Sequence, residues 1–566
     1  MTAESVTTTA PAERYAIGIA FGNSNSSIAV TSTDDKAEVI ANEDGDRQIP
    51  SILSYVDGEE YNGQQAKQQL IRNSGNTVAH FRDFLGQDFK SIDPTHCHAS
   101  AHPHENNSTV AFTIQDKEGD EKSTVTISEV ATRQFRRLKQ SASDFSGKQV
   151  NSAVITIPTN FSENQKSALI KSAGDAGIEV LQLIHEPIAA LLAYDARQES
   201  KVSDKNVVVA DLGGTRSDVA VIASRGGMYT ILATAHDYEF AGAHLDKVLQ
   251  DHFSKEFIKW NSIDPRENAR SLAKLKLESE ATKKALSIGN NASFSVESLA
   301  EGIDFSSTIN RLRYETIARK VFDGFNRLVE GVVKKAGLDV LDIDEVIMSG
   351  GTSHTPKIAA NFQSIFPEST AVLAPSTTPT AINPSELQAR GAALQASLIQ
   401  EYELEDIEQS THPAVTTVKH LTNAIGVLSI SGEEKKGIFT PIVTAETAVP
   451  ARRTVHVPVP KEGGDVLIKI VEGGSHIKVT KPELKPKENG NKDDSDDSEE
   501  DSDYEPEEQR EKIWRVGNVL AEAAVKGTKK GGKVEVMINV AGDLGVTVTA
   551  REVGEKGGVR GNLSAP

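Results

Sequence analysis

The stretch Asn206–Val221, which reads NVVVADLGGTRSDVAV, specifies the central part of the fold. An apolar, β-branched run ends at Asp211, a turn follows over Gly213–Thr215, and a second strand begins at Asp218. Backbone N–H groups in such a glycine turn can cradle phosphate oxygens, while the carboxylate holds water on a magnesium ion. The same pattern also forms an ordinary β-hairpin, so this stretch alone leaves both interpretations open.

A similar strand–turn–strand unit occurs about one domain's length earlier in the chain. Tyr15–Val30 reads YAIGIAFGNSNSSIAV. Aligning the two turns places Ala20 opposite Asp211, and places Gly22, Asn23 and Ser24 opposite Gly213, Gly214 and Thr215. Two such units predict paired lobes that face each other across a phosphate. They differ at one position, where Asp211 has a carboxylate and Ala20 has a methyl group.

Length and composition set the broad class. The 566 residues, 38% of them hydrophobic, are enough for two to four domains. No segment approaches the ~20 consecutive apolar residues of a membrane helix, and residues 1–12 resemble a flexible tail rather than a signal sequence. The single cysteine, Cys97, predicts a reducing compartment. The net charge of −20 is concentrated in Asp493–Glu508, where 11 of 16 residues are acidic, so it indicates nothing about nucleic acid.

Two further strand ends have polar groups. Glu186 follows the strand Val180–Ile184 and begins a helix, where it either orients a metal-bound water or balances the helix dipole. The strand Glu345–Ser349 runs into the glycine turn Gly350–His354. Because α/β sheets bind ligands at the carboxyl ends of their strands, this turn is a candidate ligand contact.

An amphipathic helix is predicted over Arg266–Ser287. Its polar face has the spacing i, i+3, i+4 and i+7 and comprises Glu280, Lys283, Lys284 and Ser287. Periodicity alone assigns this face to solvated ion pairs.

The composition changes after residue 400. Residues 401–418 are acidic, then contain Thr and Pro without periodicity, and predict a linker. From 419 to 566, short alternating strands between glycine turns, such as Asp543–Val553, predict a β-sandwich. Within it, Lys485–Glu511 cannot bury apolar surface and is predicted to be a disordered acidic insert.

Together these pieces resemble the heat shock protein 70 (DnaK-type) family of the actin and sugar-kinase superfamily. The resemblance rests on Ile17–Ser26, Asn42–Ser51, Ile155–Pro158, Glu186-Pro187, Asp211–Asp218, Glu301–Phe305, Gly350-Gly351 with Pro356–Ile358, and Ile382–Pro384. It implies an α/β actin-like ATPase domain of two lobes over residues 13–400, followed by an all-β, substrate-binding-type sandwich over 419–566. We expect the sandwich to lack the family's helical lid, since Pro566 follows soon after its last predicted strand.

The resemblance implies an ATP site, with Mg²⁺ held weakly by Asp211 through water. It assigns to the nucleotide Gly22, Asn23, Ser24, Asp211, Gly213, Gly214, Thr215, Gly242, Glu280, Lys283, Lys284, Ser287, Gly350, Gly351, Thr352, His354 and Ser385. His354 stands where the family usually has an arginine on the adenine face, and Ser385 replaces an aspartate. These two changes predict an altered affinity.

Other departures concern the chemistry. Ala20 replaces an aspartate that helps to hold the metal ions and their water. Arg82 stands at the position of the catalytic lysine, and Arg216 at that of a threonine near the γ-phosphate. The family acids Glu186, Asp211 and Asp218 are retained. Because one lost group commonly costs about 10²–10³ in rate, we expect negligible ATP hydrolysis and no working catalytic set.

The layout is similar to that of atypical, ribosome-associated members of the family. This similarity implies a stable heterodimer with a J-domain protein of the zuotin type, and attachment to the cytoplasmic ribosome through that partner. It also implies stimulation of a ribosome-bound heat shock protein 70 that acts on nascent polypeptide. No membrane and no direct DNA contact are expected. The alternatives are an active peptide-binding ATPase chaperone and a nucleotide-exchange factor of the larger related type.

Overall fold

A computed structural model describes residues 14–32, 36–92, 101–115, 122–197, 203–411, 419–429, 438–459, 463–480, 509–555 and 557–563. The predicted tail, residues 412–418 of the predicted linker, and residues 485–508 of the predicted acidic insert lie outside these ranges. The chain forms two compact units. The first comprises Met1–Ile222 and Ile231–Thr416, and the second comprises Ala223–Thr230 and Thr417–Pro566.

The first lobe of unit 1 is built on a mixed sheet with the order β12-β11-β1-β2-β3, and β4 pairs with β2. Its strands are β1 (Ala16–Phe21), β2 (Asn25–Thr31), β3 (Ala37–Ile40), β4 (Ile49–Pro50), β5 (Ile52–Val56), β6 (Glu59–Asn62), β7 (Thr77–Ala79), β8 (Pro103–Asn106), β9 (Thr109–Ile114), β10 (Ser123–Thr126), β11 (Ser152–Ile157) and β12 (Glu179–His185). Its helices are α1 (Gly63–Gln68), α2 (Ile127–Ser146), α3 (Glu163–Asp175) and α4 (Glu186–Asp195). Smaller sheets with the orders β6-β5-β7 and β10-β9-β8 complete the lobe.

The second lobe contains a five-stranded sheet with the order β15-β14-β13-β18-β19, apart from Ala223–Thr230 at the end of β14 and the start of β15, which are counted with unit 2, and β16 pairs with β17. Its strands are β13 (Lys205–Leu212), β14 (Ser217–Arg225), β15 (Met228–Asp237), β16 (Asn291–Ala300), β17 (Ile303–Asn310), β18 (Glu345–Ser349) and β19 (Ala371–Leu373). Its helices are α5 (Gly242–Asn261), α6 (Ala269–Ile288), α7 (Arg311–Ile317), α8 (Arg319–Lys335) and α9 (Pro356–Ile365). The helix predicted from Arg266 begins later, because the Asn268 side chain caps it by accepting from the Arg270 and Ser271 N–H groups.

The two predicted strand–turn–strand units are β1–β2 and β13–β14, which lie centrally in their sheets. In each unit the first strand also has a parallel neighbour, β11 for β1 and β18 for β13. The two turns therefore leave equivalent ends of two similar sheets. This arrangement confirms the two-lobed α/β part of the predicted fold class.

Helix α10 (Leu387–Ile399) returns the chain to the first lobe and packs closely on it. A Cβ at Gly391 would lie 1.9 Å from the Ala189 carbonyl oxygen, and a Cβ at Gly18 would lie 2.2 Å from the Ala393 nitrogen. Glycine at these two positions therefore allows the helix to approach α4 and β1.

The stretch 401–418, predicted to be a linker without periodic structure, instead contains a helix, α11 (Leu404–Thr411). Ile407 is 3% exposed and joins the apolar cluster formed by Leu181, Ile399 and their neighbours. A single buried residue in a short acidic segment produces no periodic signal, which is why the helix could not be predicted.

Unit 2 confirms the predicted sandwich. Its sheets have the orders β21-β20-β23-β24 and β22-β25-β26-β27. The strands are β20 (Ala424–Ser429), β21 (Ile438–Val443), β22 (Ala451–Pro458), β23 (Gly464–Thr480), β24 (Gln509–Thr528), β25 (Lys533–Val540), β26 (Val546–Glu552) and β27 (Val559–Leu563). Val443, Ile470 and Val536 are among the buried residues between them. Across the ranges that the structure describes, no helix is both long and apolar enough to cross a membrane.

Candidate nucleotide-binding site

A cleft of about 1400 Å³ is lined by residues of both lobes of unit 1. Its lining includes every residue assigned to the nucleotide except Gly242, together with Ala20, Arg82, Glu186, Arg216 and Asp218. Gly242 lies beside the lining, because its N–H donates to the Gly213 carbonyl at 3.0 Å and its carbonyl accepts from Lys283 Nζ at 3.1 Å. The structure thus brings together residues that are far apart in the sequence.

The two predicted phosphate turns touch each other. Asn23 Nδ2 donates a buried hydrogen bond of 2.9 Å to Thr215 Oγ1. A Cβ at Gly214 would lie 2.5 Å from Ser24 Oγ, so only glycine fits opposite the first turn without displacing this serine. The two turns therefore meet in the cleft, where the Gly213 N–H is already donated to the Arg216 carbonyl at 2.9 Å.

Glu186, Asp211 and Asp218 form an acidic cluster in which ligand oxygens from all three lie within 4.8 Å of one another. Burial raises the pKa of Glu186 to about 8, and the charges of Asp211 and Asp218 add to this while Arg82 opposes it. Burial, and then the Asp218 charge, raise the pKa of Asp211 to about 6. Carboxylate oxygens are the ligands that Mg²⁺ prefers, and a divalent cation would relieve this surplus of negative charge. The cluster therefore fits a hydrated Mg²⁺.

Arg82 is anchored on protein atoms. Its Nη1 donates to Glu186 Oε1 at 2.8 Å and to the Phe21 carbonyl at 3.2 Å, and its Nε donates to Asp83 Oδ1 at 2.8 Å. The side chain is 4% exposed. Burial alone would lower the pKa of Arg82, but Asp83 and Glu186 outweigh it and raise that pKa above its ordinary value. The guanidinium therefore stays charged, neutralises the Asp83 carboxylate and donates a hydrogen bond to the carboxyl group of Glu186.

Arg216 is fixed in a similar way. Its Nε donates to Asp218 Oδ2 at 2.7 Å, its Nη1 to Tyr238 Oη at 2.9 Å, and its Nη2 to Asn160 Oδ1 at 2.9 Å. Asp83 lies between the two arginines, with its Oδ2 3.7 Å from Arg216 Nη1. Burial would raise the pKa of Asp83, yet Arg82 and Arg216 hold it below its usual value. Asp83, Asn160 and Tyr238 were not predicted as site residues, because only their contacts across the fold place them here.

The polar face of α6 does not consist only of solvated ion pairs. Lys67 on α1 of the opposite lobe places Nζ 2.7 Å from both carboxylate oxygens of Glu280. Lys284 contacts the same carboxylate at 2.7 Å, while Lys283 pairs with Asp246 at 2.8 Å. Burial alone would raise the pKa of Glu280, but these lysines, Lys67 foremost, lower it far below its usual value. Lys67 was not predicted as a site residue, because its partner lies in the other lobe.

His354 lies on the opposite wall, where its Nε2 is 3.1 Å from Ser385 Oγ. The Ser385 carbonyl accepts from Gln48 Nε2 at 2.8 Å. Burial lowers the pKa of His354, against a smaller opposing effect of Asn383 and Glu386, so the imidazole is neutral at pH 7. This wall therefore presents a neutral ring.

The comparisons with known proteins agree with this geometry. The family model described as Hsp70 protein matches residues 16–483. The chain belongs to the Hsp70 family. Among curated Hsp70-type proteins, it is 46% identical over 547 residues to the ribosome-associated complex subunit SSZ1 of Saccharomyces cerevisiae, with 97% of this chain and 99% of that protein covered. It is 44% identical over 563 residues to a heat shock protein 70 homolog of Schizosaccharomyces pombe, with 98% and 97% covered.

A vertebrate member of the Hsp70 family is more distant. Heat shock 70 kDa protein 14 of Danio rerio is 32% identical over 479 residues, which cover 84% of this chain and 92% of that protein. The predicted membership of the Hsp70 family is thus confirmed over most of the chain, including both strand–turn–strand units.

Proposed function

We propose that this chain is an atypical Hsp70-type co-chaperone that binds ATP as a long-lived structural ligand and hydrolyses it negligibly. The observation that carries the proposal is the 2.8 Å bond from Arg82 Nη1 to Glu186 Oε1. It occupies a carboxylate that would otherwise be free to orient a water molecule. A guanidinium held by three protein groups cannot also position that water.

Binding of the nucleotide is supported by the parts of the cleft that remain. Backbone N–H groups of the turns at Gly22–Ser24 and Gly214-Thr215 would receive the phosphates, since the Gly213 N–H donates to the Arg216 carbonyl. The α6 face around Lys283 and the turn at Gly350–His354 would flank the adenosine. Asp211, with Glu186 and Asp218 nearby, would hold Mg²⁺, which neutralises phosphate charge when it is bound.

In the same cleft, the groups that ATP hydrolysis would need are missing or already engaged by other residues. Phosphoryl transfer depends almost entirely on positioning and on charge stabilisation. Ala20 offers no carboxylate, Arg82 is engaged by Glu186 and Asp83, and Arg216 is engaged by Asp218 and Asn160. Losses at about 10²–10³ in rate for each group would bring turnover close to background.

Two measurements on nucleotide-stripped protein test this proposal. Calorimetric titration with Mg²⁺ and ATP is expected to show binding, and single-turnover analysis is expected to recover the nucleotide as ATP. A relative that hydrolyses ATP serves as the positive control. A hydrolysis rate comparable to that control would favour an active ATPase chaperone instead, and absence of binding would remove the nucleotide from the proposal.

The partners are proposed from the relatives. Because the Saccharomyces relative is named as a subunit of the ribosome-associated complex, we propose that this chain forms a stable heterodimer with a zuotin-like J-domain protein. Through that partner it would sit at the cytoplasmic ribosome and help to stimulate a ribosome-bound Hsp70 on nascent polypeptide. Purification from native extract, followed by identification of the co-purifying chains, tests this assembly. Recovery of the chain without a J-domain protein would contradict it.

The sandwich offers a surface for an extended segment of that partner. Strand β24 is the edge of its sheet, and Trp514, Val516 and Val519 on it are exposed. An exposed edge strand can accept another strand through main-chain hydrogen bonds. Cross-linking of the purified heterodimer is expected to connect the partner to this strand. Cross-links confined to residues before 400 would exclude this contact.

A further inference from the structure

Arg216 connects the two lobes at the floor of the cleft. It belongs to the second lobe, where it follows the β13–β14 turn, and its side chain is 5% exposed. Its Nη2 reaches Asn160 Oδ1 of the first lobe at 2.9 Å, and its Nη1 lies 3.7 Å from Asp83 Oδ2 of the same lobe. The guanidinium thus contacts both lobes through protein atoms alone.

The charges on this floor alternate in sign along one buried chain. Its members, in spatial order, are Arg82, Asp83, Arg216 and Asp218. Arg82 and Asp83 belong to the first lobe, and Arg216 and Asp218 belong to the second. Separating the lobes would break the chain at its middle link and leave Asp83 and Arg216 each with fewer opposite charges. Opening the cleft would therefore break the direct Arg216–Asn160 hydrogen bond and the Arg216–Asp83 ion pair.

Two neutral contacts strengthen the same junction. Tyr238 Oη accepts from Arg216 at 2.9 Å and lies 3.5 Å from Asp83 Oδ2, so it joins the second lobe to the first. The Asn23–Thr215 hydrogen bond joins the two phosphate turns directly at 2.9 Å. All of these bonds join one protein atom to another.

We propose that Arg216, Asp83 and Asn160 are positioning residues that fasten the lobes together, so that the cleft stays closed without nucleotide. In this respect the domain is a fixed body rather than a switch that nucleotide opens and closes. Arg216 and Asp83, which lie in the phosphate-turn and Arg82 motifs, thereby serve to hold the lobes. This inference goes beyond the proposed function, because it concerns the empty cleft and would stand even if hydrolysis were detected.

The distance between the lobes tests the proposal in the full-length chain. Spin labels are placed at E59C on β6 of the first lobe and at L312C on α7 of the second, in a C97S background. Both labelled positions are exposed. Distance distributions are then measured for nucleotide-stripped protein, before and after addition of Mg²⁺ and ATP. For the parent protein, in which Arg216, Asp83 and Asn160 are unchanged, we expect one narrow distribution of label-to-label distances that ATP does not shift.

The nucleotide-stripped variants Arg216→Thr and Asp83→Ala are expected to give longer and broader distance distributions. Arg216→Lys is expected to give an intermediate distribution, because lysine keeps the charge but not the several planar N–H donors of a guanidinium. Arg311→Ala is the matched control, since Arg311 donates to the Leu286 and Gly289 carbonyls of its own lobe. It is expected to behave like the parent. Should Arg216→Thr not fold, the milder pair Asn160→Ala with Tyr238→Phe replaces it.

Two results would overturn the proposal: a parent protein that opens when ATP is removed, or floor variants that remain as closed as Arg311→Ala. Calorimetric titration of the same samples with ATP tests nucleotide binding, and with it the proposed function, separately from the fastening of the lobes. A parent that stays closed but binds no ATP would refute ATP binding and leave the fastening intact. A parent that binds ATP but opens without it would refute the fastening and leave ATP binding intact.

Discussion

The two phosphate turns of this chain have the same backbone design and different chemistry. A Cβ at Gly22 would lie 2.1 Å from the Asn25 carbonyl oxygen, and a Cβ at Gly213 would lie 2.8 Å from the Arg216 carbonyl oxygen. Both turns therefore require glycine for the same steric reason. At the strand ends before them, however, Ala20 packs among alanines whereas Asp211 joins an acidic cluster. The glycine turn is a property of the backbone, so it is kept in both places although the side chain before it is a methyl group in one and a carboxylate in the other.

The largest loss of stability is expected when the buried cluster of charged residues around Arg82 and Asp83 is disrupted. Arg82→Ala leaves Glu186 and Asp83 without their shared buried partner, and such losses cost about 3–5 kcal/mol in the free energy of unfolding. Arg82→Lys is expected to recover part of this, because lysine keeps the charge. Urea unfolding of nucleotide-stripped protein measures the difference.

The control for this change is Arg47→Ala. Arg47 is 64% exposed and lies 3.8 Å from Glu386, so its removal is expected to cost at most about 1 kcal/mol. The pKa of Asp83 is lower in the folded chain than in the unfolded one, so its contribution is present above the unfolded pKa and is lost as the pH falls through the folded value. The gap between Arg82→Ala and the parent should therefore persist at neutral pH and shrink only in acid. A gap no larger than that of Arg47→Ala would contradict the account of the floor.

The second-largest loss of stability is expected from alanine substitutions at the glycines of the two turns. Gly22→Ala is expected to destabilise the chain by about 1–3 kcal/mol, because its methyl group meets backbone that cannot move aside cheaply. Gly213→Ala should cost less, since its clash is less severe, and both variants should weaken ATP binding. Thermal unfolding and calorimetric titration measure the two properties.

Gly331→Ala is a control that is expected to raise the free energy of unfolding rather than lower it. Gly331 lies on the exposed side of α8 with nothing within 4 Å of an added Cβ, so alanine should stabilise the helix by up to about 1 kcal/mol. Equal losses at Gly22 and Gly213 would mean that the two turns are less different in their packing than the distances indicate.

A smaller effect is expected at the mouth of the cleft. Lys67→Ala removes the bridge from α1 to Glu280, a half-buried ion pair that we expect to contribute about 1 kcal/mol. ATP should then dissociate about fivefold faster. Because the folded pKa of Glu280 is held far below its usual value, the bridge is intact above the unfolded pKa, and this ratio should not vary around neutral pH.

Stopped-flow release of a fluorescent ATP analogue measures this rate. Lys171→Ala is the control, because Lys171 is 72% exposed and pairs with Asp175 within one helix, away from the cleft lining. Equal release rates for the two variants would show that Lys67 does not retain the nucleotide.

The smallest effect is expected from making the two turns chemically alike. Ala20→Asp restores a carboxylate to the first turn, but Glu186 remains bound to Arg82. Groups that act as a unit are not restored singly, so hydrolysis should change by less than about threefold. Ala20→Asn, which has a similar volume and no charge, is the control. A rise of about 10² in the single-turnover rate would show that the methyl group alone had silenced the site.

Much of the site could be predicted because its determinants are local. The apolar run before Asp211 and the glycines after it specify a strand and a turn within ten residues of each other. The i, i+3, i+4, i+7 spacing in α6 is enough to predict that Glu280 and Lys283 share one face of a helix. Periodicity could not supply the environment of that face, which depends on Lys67 of the other lobe.

The order of neighbouring residues is enough to specify the two strand–turn–strand units and the change from α/β to all-β composition after residue 400. It also shows directly that Ala20 has a methyl group where Asp211 has a carboxylate. The partners of Arg82 and Arg216 depend instead on the folded chain, which brings Asp83 between two guanidiniums. They could not be predicted because Coulomb energy and desolvation depend on distance in space and on burial, and neither is set by separation along the chain.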